Sequence, residues 1–315
     1  MRRRGHQRHP RAVPGQFARR ARSAYARGTT RTTRTTTVNL IQSLIMPIQR
    51  LGKRPFCGIR PDTRRFSSRF RSSTSPGIPP APPAANWGAK VSAWEMMLND
   101  RFGDCACAGI GHAWMTWTSN AGALWTPSAE EVLSLYRVFN PGTEDDGCNL
   151  QDVLAYLKAN GFAGHPLNDF AILNAASVIE VEDAINLFGC AYVGIALPDS
   201  VLQGEDLLAN PWDTPGAIWT PNPNNGHCVL AVAYDGNGMT VVTWGAIKRM
   251  SWDFWAACGD EAYALDAPAW FDANGRSPSG YSSDDLNADL QAIPSVADPS
   301  VEPGNFSPVP PPSPS

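Results

Sequence analysis

The stretch Asn99 to His112, N-D-R-F-G-D-C-A-C-A-G-I-G-H, sets a cysteine directly after Gly103-Asp104 and an amide side chain six residues before that cysteine. The run that follows is rich in Ala and Gly, which lets a helix pack closely against a neighbour. A thiol at a helix N-terminus feels unpaired backbone N–H groups and the positive end of the helix dipole, and both favour the thiolate. Cys105 is therefore the candidate nucleophile, and Cys107, off the helix start, reads as packing.

Such a thiol needs a base within hydrogen-bond reach, and the usual base is an imidazole distant in sequence. The chain has five histidines. His6 and His9 lie in a basic arm, and His165 precedes a proline. His112 stands seven residues after Cys105, roughly 10 Å along the same helix, too far to act as direct partner. His227 remains. It follows the turn Asn224-Asn225-Gly226 and opens an apolar run, so it can project from a sheet edge into a groove.

The elements that must hold these groups are legible in outline. Helical spacing runs from Cys105 to Trp117, with Asp104 as the expected N-cap. A second helix starts at Ser128, whose capping-box partner is Glu131, and ends near Phe139. A third spans Leu150 to Asn160 with Gly161 as its stop, and a fourth Val181 to Phe188. The period then changes. Cys190 to Leu197 is a strand-like run ended by Pro198, and 199–225 is a long loop. His227 to Tyr234 and Met239 to Trp244 read as strands joined by the hairpin signal Asp235-Gly236-Asn237-Gly238. Lys248 to Ala256 gives a further short element and Ala262 to Leu265 a last strand. Helices first and strands second imply an α+β domain, a helical half facing an antiparallel β-sheet half.

This order of features resembles the papain-like cysteine peptidase fold. Gly103-Asp104-Cys105 is similar to that family's nucleophile turn. Asp146-Gly147-Cys148-Asn149, leading into the third helix, is similar to its Gly-containing loop. Val181 to Leu197 resembles its helix-then-strand passage, and Gly226-His227 with Trp244-Gly245 resembles its histidine strand and Trp-Gly signature. The resemblance implies Cys105 as nucleophile, His227 as base and Asn99 as oxyanion donor, one methylene shorter than the family's glutamine. A donor must lie about 2.7–3.1 Å from the developing oxyanion, so Asn99 requires a slightly shifted backbone. The family's imidazole-orienting Asn or Asp falls at Val242, which accepts no hydrogen bond. Thr243 is the nearest hydroxyl, although strand alternation from Val242 points it to the other face. A strand bulge that brings Thr243 to the ring, a Cys–His dyad, and a protein that is not a peptidase are the three arrangements this leaves.

Charge divides the chain. Residues 1–75 contain 19 of the 26 Lys and Arg and one acid, Asp62, while the remaining residues hold 7 basic and 28 acidic side chains. An acidic body is repelled by nucleic acid and anionic lipid, so nucleic acid is an expected partner only through the arm. The expected organisation is a basic disordered arm at 1–45 (or an untranslated extension, with the start at Met46), a Pro/Arg-rich surface strap at 46–85, a papain-like domain at 86–292 and a Pro/Ser-rich disordered tail at 293–315. No apolar run approaches the roughly 18–20 residues that span a bilayer, and no export signal is readable, which favours the cytoplasm. Glu144-Asp145-Asp146 lacks the alternating spacing of a calcium loop, and no C-x-x-C pair occurs, so neither metal nor cofactor is expected.

The leading expectation is a thiol hydrolase acting on a peptide or protein substrate. The alternative is a binding module that keeps the fold without full catalytic geometry, for which Val242 speaks.

Overall fold

An eight-stranded sheet with helices on both faces carries the residues that the computed structural model describes, 49–66 and 80–295. These all belong to the second of two compact units, Ile45–Ser315. The expectations for residues 1–45, and for the tail beyond Ser295, lie outside the described residues.

The strands are β1 (Arg64–Arg65), β2 (Ala85–Asn86), β3 (Asp169–Ile172), β4 (Ala191–Ala196), β5 (Gly226–Asp235), β6 (Gly238–Thr243), β7 (Ala246–Ser251) and β8 (Gly259–Asp266). Their order is β1-β3-β8-β4-β5-β6-β7, antiparallel except for β1 with β3, and β2 pairs with the far end of β5. The helices are α1 (Cys105–Ala121), α2 (Ala129–Phe139), α3 (Leu150–Asn160), α4 (Val178–Phe188), α5 (Trp252–Cys258) and α6 (Ser283–Ala292). One core joins α1, α2 and α3 to Tyr192, Cys228, Leu230 and Val242. A second, on the opposite face, joins α4, α5 and α6 to Val193, Val229, Ala231 and Val241. The sheet half thus has helices of its own behind it. That explains why the β4 run is apolar without alternation, since both of its faces are buried.

The local signals act as written. Ser128 and Glu131 form the reciprocal capping box of α2. Asn149 caps α3 through two backbone N–H groups, and Ser177 caps α4 three residues earlier than the apolar spacing suggests. Gly236 and Asn237 make the two-residue turn between Asp235 and Gly238. Lys248 to Ala256 is not one element: β7 ends at Ser251, whose hydroxyl caps α5. Besides the short strands β1 and β2, two elements were not expected, β3 and α6. β3 is too short to show a period, but α6 carried a signal, a capping Ser282 ahead of Leu286 and Leu290 four residues apart.

Helix α1 passes through the molecular interior, with Cys105 to Trp117 buried without exception. Gly109 explains how it lies so near the sheet. A Cβ there would stand 3.0 Å from the Tyr192 ring and 3.4 Å from Cys228 Sγ. Tyr192 also donates its hydroxyl to the Ala106 carbonyl at 2.8 Å, tying the first turn of α1 to β4.

The described residues of the segment expected to lie on the surface at 46–85, 49–66 and 80–85, are more deeply engaged. Lys53, Thr63 and Phe66 are buried, and β1 and β2 both enter the sheet.

Candidate active site

Cys105 is the first residue of α1, and Gly103 and Asp104 deliver it there. Gly103 is held by its N–H, which donates to Asp145 Oδ1 at 2.8 Å. Tyr136 on α2 donates its hydroxyl to the same oxygen at 2.6 Å. Asp145 thus clamps the turn two residues ahead of the thiol. Sequence could not reveal this, because the contact spans 42 residues of separation.

Asp104 occupies the N-cap position, but its side chain makes no capping hydrogen bond, and this corrects the capping expectation. Both carboxyl oxygens are buried and, among the described residues, have no hydrogen-bond partner. Burial pushes the carboxyl up to about 8, although the nearby Asn99 amide draws it partly back. A neutral carboxylic acid leaves the first N–H groups of α1 uncapped and without an adjacent anion, which keeps the helix end electropositive.

The consequence for stability has a definite sign. The folded chain holds a proton on Asp104 up to about pH 8, whereas the unfolded carboxyl releases it near 3.8. This stabilising difference is complete below pH 3.8 and is lost as pH rises toward 8. Asp104→Asn cannot ionise, so it should match the wild type at pH 4 and exceed it at pH 8, the gap widening by up to about 1.4 kcal/mol per pH unit. Urea unfolding at several pH values checks this, and a pH-independent gap would rule out the buried acid.

His227 is the second residue of β5 and fully buried. Its Nε2 lies 2.7 Å from Thr243 Oγ1 at the end of β6. The ring stacks on Trp244 with centroids 4.4 Å apart and planes 18° from parallel. Thr243, not Val242, is therefore the polar neighbour of the imidazole, while Val242 faces α1 in the other core. The place the resemblance implies, two residues before Trp244, misleads because Trp244 has φ 47°, which breaks the extended geometry after Thr243. A bulge in β5 between Ala231 and Ala233 also shifts the register with β6. Leu230 pairs with Val242, so Thr243 falls beside Val229, on the His227 face.

Helix α1 and strand β5 meet at the thiol. The Cys228 N–H, next to His227, donates to Cys105 Sγ at 3.4 Å. Burial pushes the Cys105 thiol up to about 12 and the His227 imidazole down to about 3, so both are neutral at pH 7. His227 Nδ1 has no hydrogen-bond partner among the described residues. Asn99 is also buried. Its Nδ2 donates to the Phe102 carbonyl at 3.1 Å, which uses one of its two N–H groups to shape the turn. His112 bonds the Glu95 carbonyl at 2.8 Å and packs on Trp94, remote in role from the thiol.

What buries this junction is the chain's own residues 50–54. The Arg50 N–H donates to the Asn99 carbonyl at 2.9 Å, and Trp244 Nε1 donates to the Arg50 carbonyl at 2.9 Å. Gly52 and Lys53 both direct N–H groups to the Gly226 carbonyl, at 3.2 and 3.1 Å. On the opposite side, Cys148 N–H donates to Gly52 O and Arg54 N–H to Cys148 O, both at 2.8 Å. Gly52 and Gly226 are glycines for contact reasons. A Cβ on Gly52 would overlap the Gly103 carbonyl oxygen, and one on Gly226 would overlap the Lys53 carbonyl oxygen. The depression of about 310 Å³ that remains here has Leu51 to Pro55 in its wall.

No family model and no curated protein matches the chain. Solved structures do. Xylellain, a cysteine protease from Xylella fastidiosa, aligns with a TM-score of 0.52 at 11% identity, over 69% of this chain and 97% of that chain. Digestive procathepsin L2 proteinase from Tenebrio molitor larval midgut aligns with a TM-score of 0.50 at 12% identity, over 72% of this chain and 82% of that chain. The chain has the papain-like α+β fold.

Proposed function

We propose that this protein is a thiol hydrolase that cleaves peptide or amide bonds through Cys105 and His227, and that residues 50–54 hold it in a closed state. The observation that carries the reading is the junction itself. An imidazole fixed between Thr243 and Trp244 sits one residue from the N–H that contacts a thiol at a helix N-terminus.

In the tautomer that donates Nε2–H to Thr243, the lone pair of Nδ1 is free to take the thiol proton. The thiolate attacks the carbonyl carbon, and the oxyanion meets the Cys105 N–H and the remaining Asn99 N–H. The imidazolium returns its proton to the leaving amine, and water then hydrolyses the thioester. Peptides are favoured because the site offers backbone partners on two sides, at Gly226 and at Cys148, as an extended chain requires. Among the described residues no helix is long and apolar enough to cross a membrane.

An electrophilic peptide ketone tests the assignment. Cys57 is the exposed thiol of the seven, so a Cys57→Ser background removes unselective reaction. Slow labelling that disappears on Cys105→Ala is the expected result, and a label retained on another residue would reject Cys105.

The binding-module alternative rests on a specific observation, the thiol and imidazole held neutral with Nδ1 unbonded among the described residues. It is favoured if the thiol stays unreactive after residues 50–54 are displaced.

A further inference from the structure

Lys53 is the one cation of the 50–54 segment to enter the core, and its side chain is completely enclosed. Its Nζ donates to Asp260 Oδ2 at 2.8 Å and to the Arg54 carbonyl at 3.3 Å, and stands 3.0 Å from Glu261 Oε1. The Glu261 approach is an ion pair without hydrogen-bond alignment.

Two backbone features build this enclosure. Successive residues of a strand point to opposite faces, yet Asp260 and Glu261 both reach one ammonium. They can because the β4–β8 register slips there: Gly194 pairs with Glu261 and Ile195 with Gly259, leaving Asp260 as the extra residue of a bulge. Opposite the bulge, Gly194 makes room for the lysine stem. A Cβ on Gly194 would lie 2.7 Å from Lys53 Cδ and Cε. Tyr263 donates its hydroxyl to Glu261 Oε2 at 2.6 Å and fixes the carboxylate. Burial opposes charge on Lys53, but Glu261 and Asp260 outweigh it and hold the ammonium above its ordinary value.

A lone ion pair that merely anchored a loop would need neither a bulge nor a missing Cβ, and a buried carboxylate such as Glu261 costs several kcal/mol to desolvate. We propose that this enclosure is the specificity pocket of the cleft, selecting a lysine or arginine side chain, and that Lys53 fills it as an internal stand-in for substrate. The pocket opens beside the Gly226 carbonyl and the Cys148 backbone, so a peptide bound there in extended form presents its basic residue to Asp260 and Glu261. Asp260 Oδ1, without a hydrogen-bond partner among the described residues, keeps acceptor capacity that lysine leaves unused and a guanidinium would take up. The substrate class rests on the hydrolase reading, whereas the pocket's preference is a binding property that stands apart from it.

The test measures binding. The full-length Lys53→Ala, Cys105→Ala chain is titrated with a fluorescent peptide of sequence Leu-Gly-Lys-Arg-Pro, and with the same peptide carrying norleucine in place of lysine. The lysine peptide should bind at least about tenfold more tightly, corresponding to about 1.4 kcal/mol. Adding Asp260→Asn and Glu261→Gln should erase the difference. Equal affinities, or a preference that survives these two neutral replacements, overturn the proposal. If removal of Lys53 prevents folding, hydrogen exchange at Gly52, Lys53 and Arg54 of the wild type is followed in excess peptide. Acceleration by the lysine peptide alone supports the pocket, and no acceleration, or equal acceleration by both, rejects it. Lysine-selective binding with no cleavage of that peptide by the Lys53→Ala chain that keeps Cys105 would instead count against the hydrolase reading.

Discussion

A Gly52→Val chain should react with an electrophilic peptide ketone about a hundredfold or more faster than the wild type, since each unit by which the Cys105 pKa falls multiplies its thiolate tenfold. The cause is steric. Even the first carbon of a side chain at Gly52 would overlap the Gly103 carbonyl oxygen. Gly103 cannot retreat, because Asp145 holds its N–H and α1 begins two residues later. The 50–54 segment must lift instead. Water then reaches a thiol that burial holds at about 12 and an imidazole held at about 3, and both relax toward their ordinary ranges. Far-UV circular dichroism should be unchanged, since no helix or central strand includes Gly52. A labelling rate within about threefold of the wild type, with the fold intact, would mean that these residues do not gate Cys105.

Thr243→Val should lower kcat/KM about 10- to 100-fold when measured in that opened chain, as removing the partner of a buried polar group costs about 1–3 kcal/mol. The valine preserves the size of the side chain but leaves His227 Nε2 without its 2.7 Å partner, so nothing selects the tautomer with a free Nδ1. Trp244 still stacks on the ring, which separates loss of orientation from loss of packing. Thr243→Ser retains the hydroxyl and should recover most of the activity. Equal loss in the valine and serine chains would show that Thr243 matters through packing alone and does not position the imidazole.

The two expectations draw on different kinds of information. Cys105 and His227 stand out in the sequence as candidates because their signals are local. A cysteine after Gly103-Asp104 ahead of a helix, and a histidine after a tight turn ahead of an apolar strand, carry their meaning within about ten residues. The helix caps at Ser128, Asn149 and Ser177 and the turn at Gly236-Asn237 belong to the same class, since each hydrogen bond closes within a few positions.

Thr243 shows where local reading stops. The resemblance, which sets the orienting residue two before the Trp-Gly signature, puts Val242 beside the imidazole. The positive φ of Trp244 and the β5 bulge near Val232 put Thr243 there. Neither irregularity has a marker in the residue types, and a shift of one position exchanges the two faces of a strand. Asp104 is similar. Its type and position fit a cap, but only the packing around it decides that the carboxyl is buried, neutral and not a cap.

Sequence alone determined the α+β order, the candidate thiol and the candidate imidazole, because periodicity, capping and turn chemistry act over a few residues. Tertiary structure decided what surrounds them: the Asp145 clamp on Gly103, the seating of Thr243, the Lys53 enclosure at a bulge in β8, and the 50–54 segment laid across the junction. Each of these joins residues from 16 to more than 200 positions apart. Their pairing is set by sheet register and by which glycines leave room, and both become defined only when the whole chain has packed.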